Sequence, residues 1–258
     1  DLHSTSRRQR QMCIRDSRYC IYPSEGGPMV QTDGDANSMM LFLPPATYKI
    51  LVFNYDAKNI DFRNMSRFDE AEAYILQTKA TGQASQGITP LYGFVIDALE
   101  ITPGQDKSGT LVLTPLVRHV TFTVQVDKPE EIKTCKGSLS GVSTSLNLSK
   151  RKVVTEASTN VEFDMETSDK GVNGDLIILG TALPKEEEQK PVTNQVTIDF
   201  TLSDGSTVSA TADLEDKLNE IDTPHVNVTI NATVEKSPKF TIRLTNWEVG
   251  PGEETTIE

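Results

Sequence analysis

Residues 41–55 read LFLPPATYKILVFNY, and the fold class is decided there. Pro44 and Pro45 lack backbone donors and have φ fixed, so they mark a corner where the chain turns inward. The run 47–55 that follows is β-branched and aromatic, the composition that suits a pleated, half-buried surface. Ile50 and Val52 fall on one face of it, Leu51 and Phe53 on the other. A strand that is apolar on both faces belongs inside its sheet, covered from both sides. Asn54 and Asp56 then open a polar loop.

Working outward, residues 18–22 read as a first strand, closed by Pro23-Ser24-Glu25-Gly26-Gly27-Pro28 and resumed at Val30 and Gln31. Residues 33–37 read as a turn. Asp33, Asp35 and Asn37 have the alternate spacing of a calcium loop. Ser38 stands where such a loop needs glycine, however, and Pro44 where it needs a bidentate glutamate, so a polar hairpin tip is expected. Residues 39–43 read as a strand beside 47–55. The polar stretch 56–72 carries a helical turn near 67–71. Short strands follow at 73–76, 91–96 and 110–113, with a turn at Pro103-Gly104.

After Pro115 the pattern changes to clean alternation. Val120, Phe122, Val124 and Val126 alternate with polar residues, as do Val196, Ile198, Phe200 and Leu202. The same holds for Val226, Val228, Ile230, Ala232 and Val234, and for Phe240, Ile242 and Leu244. Such strands have one face in a core and one in water. Residues 176–179 are apolar throughout and read as the central strand of this half, with more strands at 139–148 and 161–165. Asp204-Gly205 supplies a hairpin turn. Leu214, Leu218 and Ile221 fall at helical spacing and predict a short amphipathic helix. Trp247 closes the last strand and is expected to cap the core. Residues 185–190, KEEEQK, read as a charged surface loop. A boundary near Pro115 divides the chain into an N-terminal β-sandwich, 18–115, and a C-terminal one, 116–258.

Residues 7–17, RRQRQMCIRDS, fit codon by codon a transposase adapter of the kind used to prepare sequencing libraries. Residues 1–17 are therefore expected to be a non-native leader, against the alternative of a basic arm for nucleic acid or membrane. About 240 residues remain, ample for two ordinary domains. Setting aside four arginines and one aspartate of that segment takes the formal charge from −12 to −15. So acidic a chain repels phosphate backbones, and nucleic acid is not an expected partner. No apolar run approaches the ~20 residues of a membrane-spanning helix. Cys20 and Cys135 are expected to be free and buried.

No catalytic, metal or cofactor motif emerges. His119 and His225 begin strands with no ligand-spaced neighbours. Nucleophile elbows, phosphate loops and dinucleotide fingerprints are absent. Glu70, Glu72, Glu162, Asp164 and Glu166 alternate along strands, and a solvated strand face explains them better than a glycosidase pair. Tyr19, Tyr22, Tyr55, Tyr92 and Trp247 are the aromatics available for stacking on a sugar. The chain is expected to be no enzyme and to need no cofactor.

Leu43-Pro44-Pro45-x-x-Tyr48-x-x-Leu51-Val52-x-Asn54 resembles the first-domain signature of the fimbrillin-like proteins of Bacteroidales. Asn54, Phe62-Arg63-Asn64 and Glu72-Ala73-Tyr74 resemble an uncharacterised branch of that family. The stretch 116–247 is similar to its second domain in the Asp-Gly hairpin, the helix and the terminal Trp247. The resemblance implies two tandem transthyretin-like Greek-key β-sandwiches, with one short helix in the second. It implies a fimbrial subunit, or an accessory, anchor or tip protein, at the outer membrane and held there by a lipid anchor not seen in this chain. The implied partners are other fimbrial subunits and a host or bacterial surface protein or glycan. Subunits of the family join by strand addition. The implied donor is the strand with Ile242, Leu244 and Trp247; the implied acceptor groove lies where Arg18, Tyr19, Ile21 and Tyr22 are displaced. A glycan-binding lipoprotein of a nutrient-uptake system is the alternative.

Overall fold

The structure, a computed structural model, describes residues 16–35, 39–76, 87–182, 194–214, 217–220, 223–236 and 240–252. In chain order its strands are β1 (Asp16–Pro23), β2 (Val30–Asp35), β3 (Ala46–Asn54), β4 (Ile60–Arg63), β5 (Glu72–Ile75), β6 (Tyr92–Ile101), β7 (Thr114–Pro115), β8 (Arg118–Val126), β9 (Ile132–Asn147), β10 (Lys152–Ser168), β11 (Gly171–Ile178), β12 (Gln195–Leu202) and β13 (Thr207–Asp213). A single helical turn, α1 (Lys217–Glu220), precedes β14 (His225–Lys236) and β15 (Phe240–Pro251). The chain is all-β and folds as β-sandwiches.

One sheet has the order β2-β1-β3-β6-β7. β3 lies at its centre, antiparallel to both β1 and β6, and it is buried on both faces as its composition requires. Leu51 and Phe53 enter the main core, while Ile50 and Val52 form a second, smaller cluster with Tyr19, Ile21 and Tyr48. That second cluster is roofed by Met39, Leu41 and Leu43 and by Leu113. Residues 39–43 and 110–113, both expected as strands, join no ladder. Met39, Leu41, Leu43 and Leu113 pack over the sheet instead, while Met40, Phe42 and Val112 stay exposed. Residues 33–35, expected in a turn, complete β2, with Arg18 opposite Asp33. The calcium-like spacing is thus spent on a strand edge; residues 36–38 lie outside the described residues.

The other sheet runs β13-β12-β9-β10-β11-β8-β14-β15. β8 and β14 pair in parallel, whereas the other pairs are antiparallel. The two end strands, β13 and β15, approach each other without joining a ladder, so the sheet folds over its own apolar face. Register shifts between β9 and β10 bend these long strands, and Ser143 Oγ donates to Val154 O (2.7 Å) at the irregularity. Phe122 and Phe163 stack at 4.8 Å in the middle of the core. Gly137 lies directly beneath the Phe163 ring, where a Cβ would overlap it. The Asp204-Gly205 turn joins β12 to β13 as expected, with Gly205 at φ 84°. β11 is interior, between β10 and β8, with Leu176 and Ile178 buried.

The β4–β5 hairpin, whose first strand falls in the stretch 56–72 expected to be irregular apart from its helical turn, attaches through β5 to β9 (Glu72↔Asn147 to Tyr74↔Ser145). The N-terminal hairpin therefore extends the ladder of the C-terminal sheet. The main core is continuous from Cys20 and Phe53 through Ala73 and Leu116 to Phe122, Phe200 and Ile242.

Candidate assembly site

β1 is an interior strand, paired to β2 on one side and β3 on the other. Its side chains divide between the two clusters: Tyr19 (6% exposed) and Ile21 (1%) point to the smaller one, Cys20 and Tyr22 to the main core. The Tyr22 ring meets Phe68 edge-on at 5.5 Å, and its hydroxyl donates to Met65 O (2.8 Å). Burial raises the Tyr22 phenol above its ordinary range and lifts the Cys20 thiol to about 11. Arg18 grips Asp33 with two parallel bonds, Nε to Oδ1 (2.8 Å) and an Nη to Oδ2 (2.9 Å), and lies 4.4 Å over the Tyr55 ring. This pairing raises the arginine and holds the Asp33 carboxyl below the usual carboxylate range. It fastens β2 to β1 across the ladder and leaves Tyr55 covered.

β15 is an end strand, paired only to β14. Ile242 is buried; Leu244 and Trp247 are half-buried against the main core. Alternation alone would send Trp247 to the opposite face from Leu244. A register shift between Asn231 and Ala232 of β14 inserts one extra residue in β15 and returns Trp247 to the inner side. Lys217 of α1 sits 4.4 Å over the indole, and Leu214 and Leu218 are buried beside it, as the helical spacing anticipates; Ile221 lies outside the described residues. β15 does not stop at Trp247 but continues through Pro251.

The remaining candidates disperse. Glu70 pairs with Arg67 and Glu72 with Arg63, while Glu162, Asp164 and Glu166 line the exposed face of β10. Tyr19 and Tyr22 are buried, and Tyr55, Tyr92 and Trp247 half-buried, so they do not form an open stacking platform. The exposed aromatic that sequence reasoning passed over is Phe42, 89% exposed, with Met40 beside it at 75%. Its signal was the apolar excess of residues 39–43, more than one face could bury. Cys20 and Cys135 are both free and buried. Among the described residues no three His, Cys, Asp or Glu side chains stand as a ready metal centre, and no helix is long and apolar enough to cross a membrane.

The model of a family described as a domain of unknown function, DUF5119, matches residues 11–164. The chain belongs to the DUF5119 family. Over 166 residues this DUF5119 chain is 26% identical to a Bacteroides ovatus protein assigned as a fimbrium anchoring subunit, Fim4B; the match takes in 60% of the chain but only 48% of that relative, so the chain spans about half of its length. Among solved structures, the fimbrial anchor protein Mfa2 of Porphyromonas gingivalis superposes with a TM-score of 0.59 at 12% identity, covering 92% of this chain and 89% of that one. A Bacteroides ovatus protein assigned as an adhesin does so with a TM-score of 0.57 at 20% identity, over 92% and 88%. At these identities the structures show a shared fold. This DUF5119 member thus shares its all-β sandwich fold with these proteins, a fimbrial anchor and one assigned as an adhesin.

Proposed function

We propose that this chain is a non-enzymatic fimbrial protein of the bacterial surface, an accessory, anchor or tip subunit that binds other subunits by strand addition. The similarity to a fimbrium anchoring subunit carries this reading. The two expected exchange segments differ in what they require. Withdrawing β1 breaks two ladders and uncovers apolar grooves on both faces at once, with about 2 kcal/mol of burial lost for each of Tyr19, Ile21 and Tyr22. Withdrawing β15 breaks one ladder and removes Ile242, Leu244 and Trp247 from the core. As folded, both places are filled by the chain itself, which supports a self-complemented subunit that waits for a partner or for processing.

The purified chain is accordingly expected to be a monomer by light scattering; SDS-resistant ladders in that preparation would count against it. The function is tested in the parent bacterium by deleting the gene. An anchor or accessory role requires fimbriae that are shed into the medium or altered in length. Fimbriae unchanged in number, length and attachment would sink the proposal. A lipid anchor at the outer membrane belongs to the same reading and is checked by labelling with a lipid precursor.

A further inference from the structure

We propose that residues 39–43 form a docking edge whose occupant is an extended apolar strand of another fimbrial subunit. This rests on the fimbrial reading above and gives the incoming strand a seat on the folded chain. Met39, Leu41 and Leu43 pack down on the smaller cluster, while Met40 (75% exposed) and Phe42 (89%) point away from it. The segment thus alternates as a strand does. It runs lengthwise over the sheet. At one end a Cβ on Gly34, opposite Ser17, would meet the Met39 sulfur. At the other, Tyr48 Oη donates to Pro44 O (2.9 Å), and Tyr48 stands opposite Pro23. Among the described residues, however, no backbone hydrogen bond is made by 39–43. An alternating segment with a free row of donors and acceptors is what strand addition uses.

The cover over this face of the sheet is incomplete. Phe94, Ile96, Leu99 and Ile101 of β6 belong to the smaller cluster but are only half-buried. Of residues 110–113, Leu113 packs down, whereas Val112 is 66% exposed. A strand added beside 39–43 sets its inward side chains on β6 and its outward ones against Met40 and Phe42. Charge agrees with an apolar occupant: the register positions of β1, β2 and β3 that share this face with Ile21 and Ile50 include no Lys, Arg, Asp or Glu. Size decides against a second copy of the chain. Met40, Phe42 and Val112 together expose on the order of 400 Å², half of the about 800 Å² that each partner gives to a stable globular interface. A single strand needs less, because its main-chain bonds to 39–43 supply part of the affinity. Unlike withdrawal of β1 or β15, filling this edge breaks no ladder.

The photoreactive residue benzoylphenylalanine, placed at position 42 in the parent bacterium, tests this. Light should join it to another fimbrial subunit, and mass spectrometry should place the bond in a stretch of alternating apolar residues. The same probe at Glu162, on the exposed face of β10, is the control and should give little adduct. The Met40→Asp, Phe42→Asp double variant should lower the amount of this chain retained on washed fimbriae by about tenfold or more. Its denaturant midpoint in purified form should be unchanged, because both side chains are exposed. No adduct, equal yield from position 162, or adducts only with a second copy or with lipid overturn the proposal. So does unchanged retention of the double variant, or loss of its fold, which would make the two side chains part of the core. If deleting the gene alters the fimbriae while the double variant does not, the docking edge alone fails; if deletion changes nothing, the fimbrial reading fails with it.

Discussion

Ser17 is wholly buried in β1, opposite Asn54 and Gly34, and its Oγ has no hydrogen-bond partner. An unmet buried hydroxyl costs about 1–3 kcal/mol, whereas alanine at the same place leaves nothing unsatisfied. Ser17→Ala should therefore leave stability unchanged or raise it by about 1 kcal/mol in a denaturant midpoint; a loss of similar size would show that the hydroxyl is satisfied after all. Asn54 shows the contrary case, a buried polar residue in full use: its Nδ2 donates to Pro90 O (3.1 Å) and Asp56 Oδ1 (2.9 Å), and its Oδ1 accepts from Tyr92 N (2.7 Å). The two cysteines make a pH prediction. Burial lifts the thiols of Cys20 and Cys135 from the ordinary 9.0 to about 11 in the folded chain. A folded pKa raised above the unfolded one means that the folded chain holds the proton more tightly. The resulting stability is complete below about pH 9 and is lost as pH rises through 11. Unfolding free energy should fall over that interval, and the Cys20→Ala, Cys135→Ala double variant should fall less steeply; equal slopes would reject the thiols as the cause.

At the scale of the element, β9 is the strand that carries most, since it pairs with β10, β12 and β5. Its Gly137 keeps a flat floor for Phe163, which stacks in turn on Phe122. Gly137→Ala should displace that ring and destabilise by about 1–3 kcal/mol, the usual cost of overpacking. Adding Phe163→Leu in the same background should recover part of the loss, and independent, additive effects of the two changes would refute the contact as the reason. Elements with a clean period were legible in the sequence: β8, β12 and β14 by alternation, β3 by its two apolar faces, the β12–β13 turn by Asp-Gly. Those that failed did so for identifiable reasons. Residues 39–43 have the composition of a strand, but composition is blind to whether a partner edge remains free. Asp33 and Asp35 look like turn residues until Arg18, fifteen positions earlier, is seen to pair with the first. β4 is four residues of mixed polarity, too short for a period to show. The candidate donor strand was located by its alternation, but the bulge that turns Trp247 inward leaves no trace in β15's own residues. β1 was recognised as a strand, while its interior place depends on β2, of which Val30 and Gln31 read as strand but residues 33–35 as turn.

For the whole molecule, strand order was the part least legible, because hydrophobic alternation says which face is buried and nothing about which strand lies alongside. The parallel pairing of β8 with β14 joins segments about a hundred residues apart and has no local signal. The attachment of β5 to β9 is of the same kind, and it bears on how the molecule unfolds. The change of pattern at Pro115 argues for two independent halves. Against that stand a ladder running from the β4–β5 hairpin into β9 and a main core in which Cys20, Phe53 and Ala73 are continuous with Leu116, Leu146 and Phe122. Opening either half would uncover apolar surface on the other, so the halves should lose their structure together. The chain carries a probe in each. Trp247, the single tryptophan, reports the second by fluorescence, and Cys20, inaccessible in the fold, reports the first by pulse labelling. Both should change at one denaturant midpoint, with far-UV circular dichroism coincident. Labelling of Cys20 well before the Trp247 transition would show that the first sandwich opens alone and that the shared ladder contributes little, and would restore the boundary at Pro115 as an energetic one. In that case β1 rather than β15 would be the more readily released of the two proposed exchange segments.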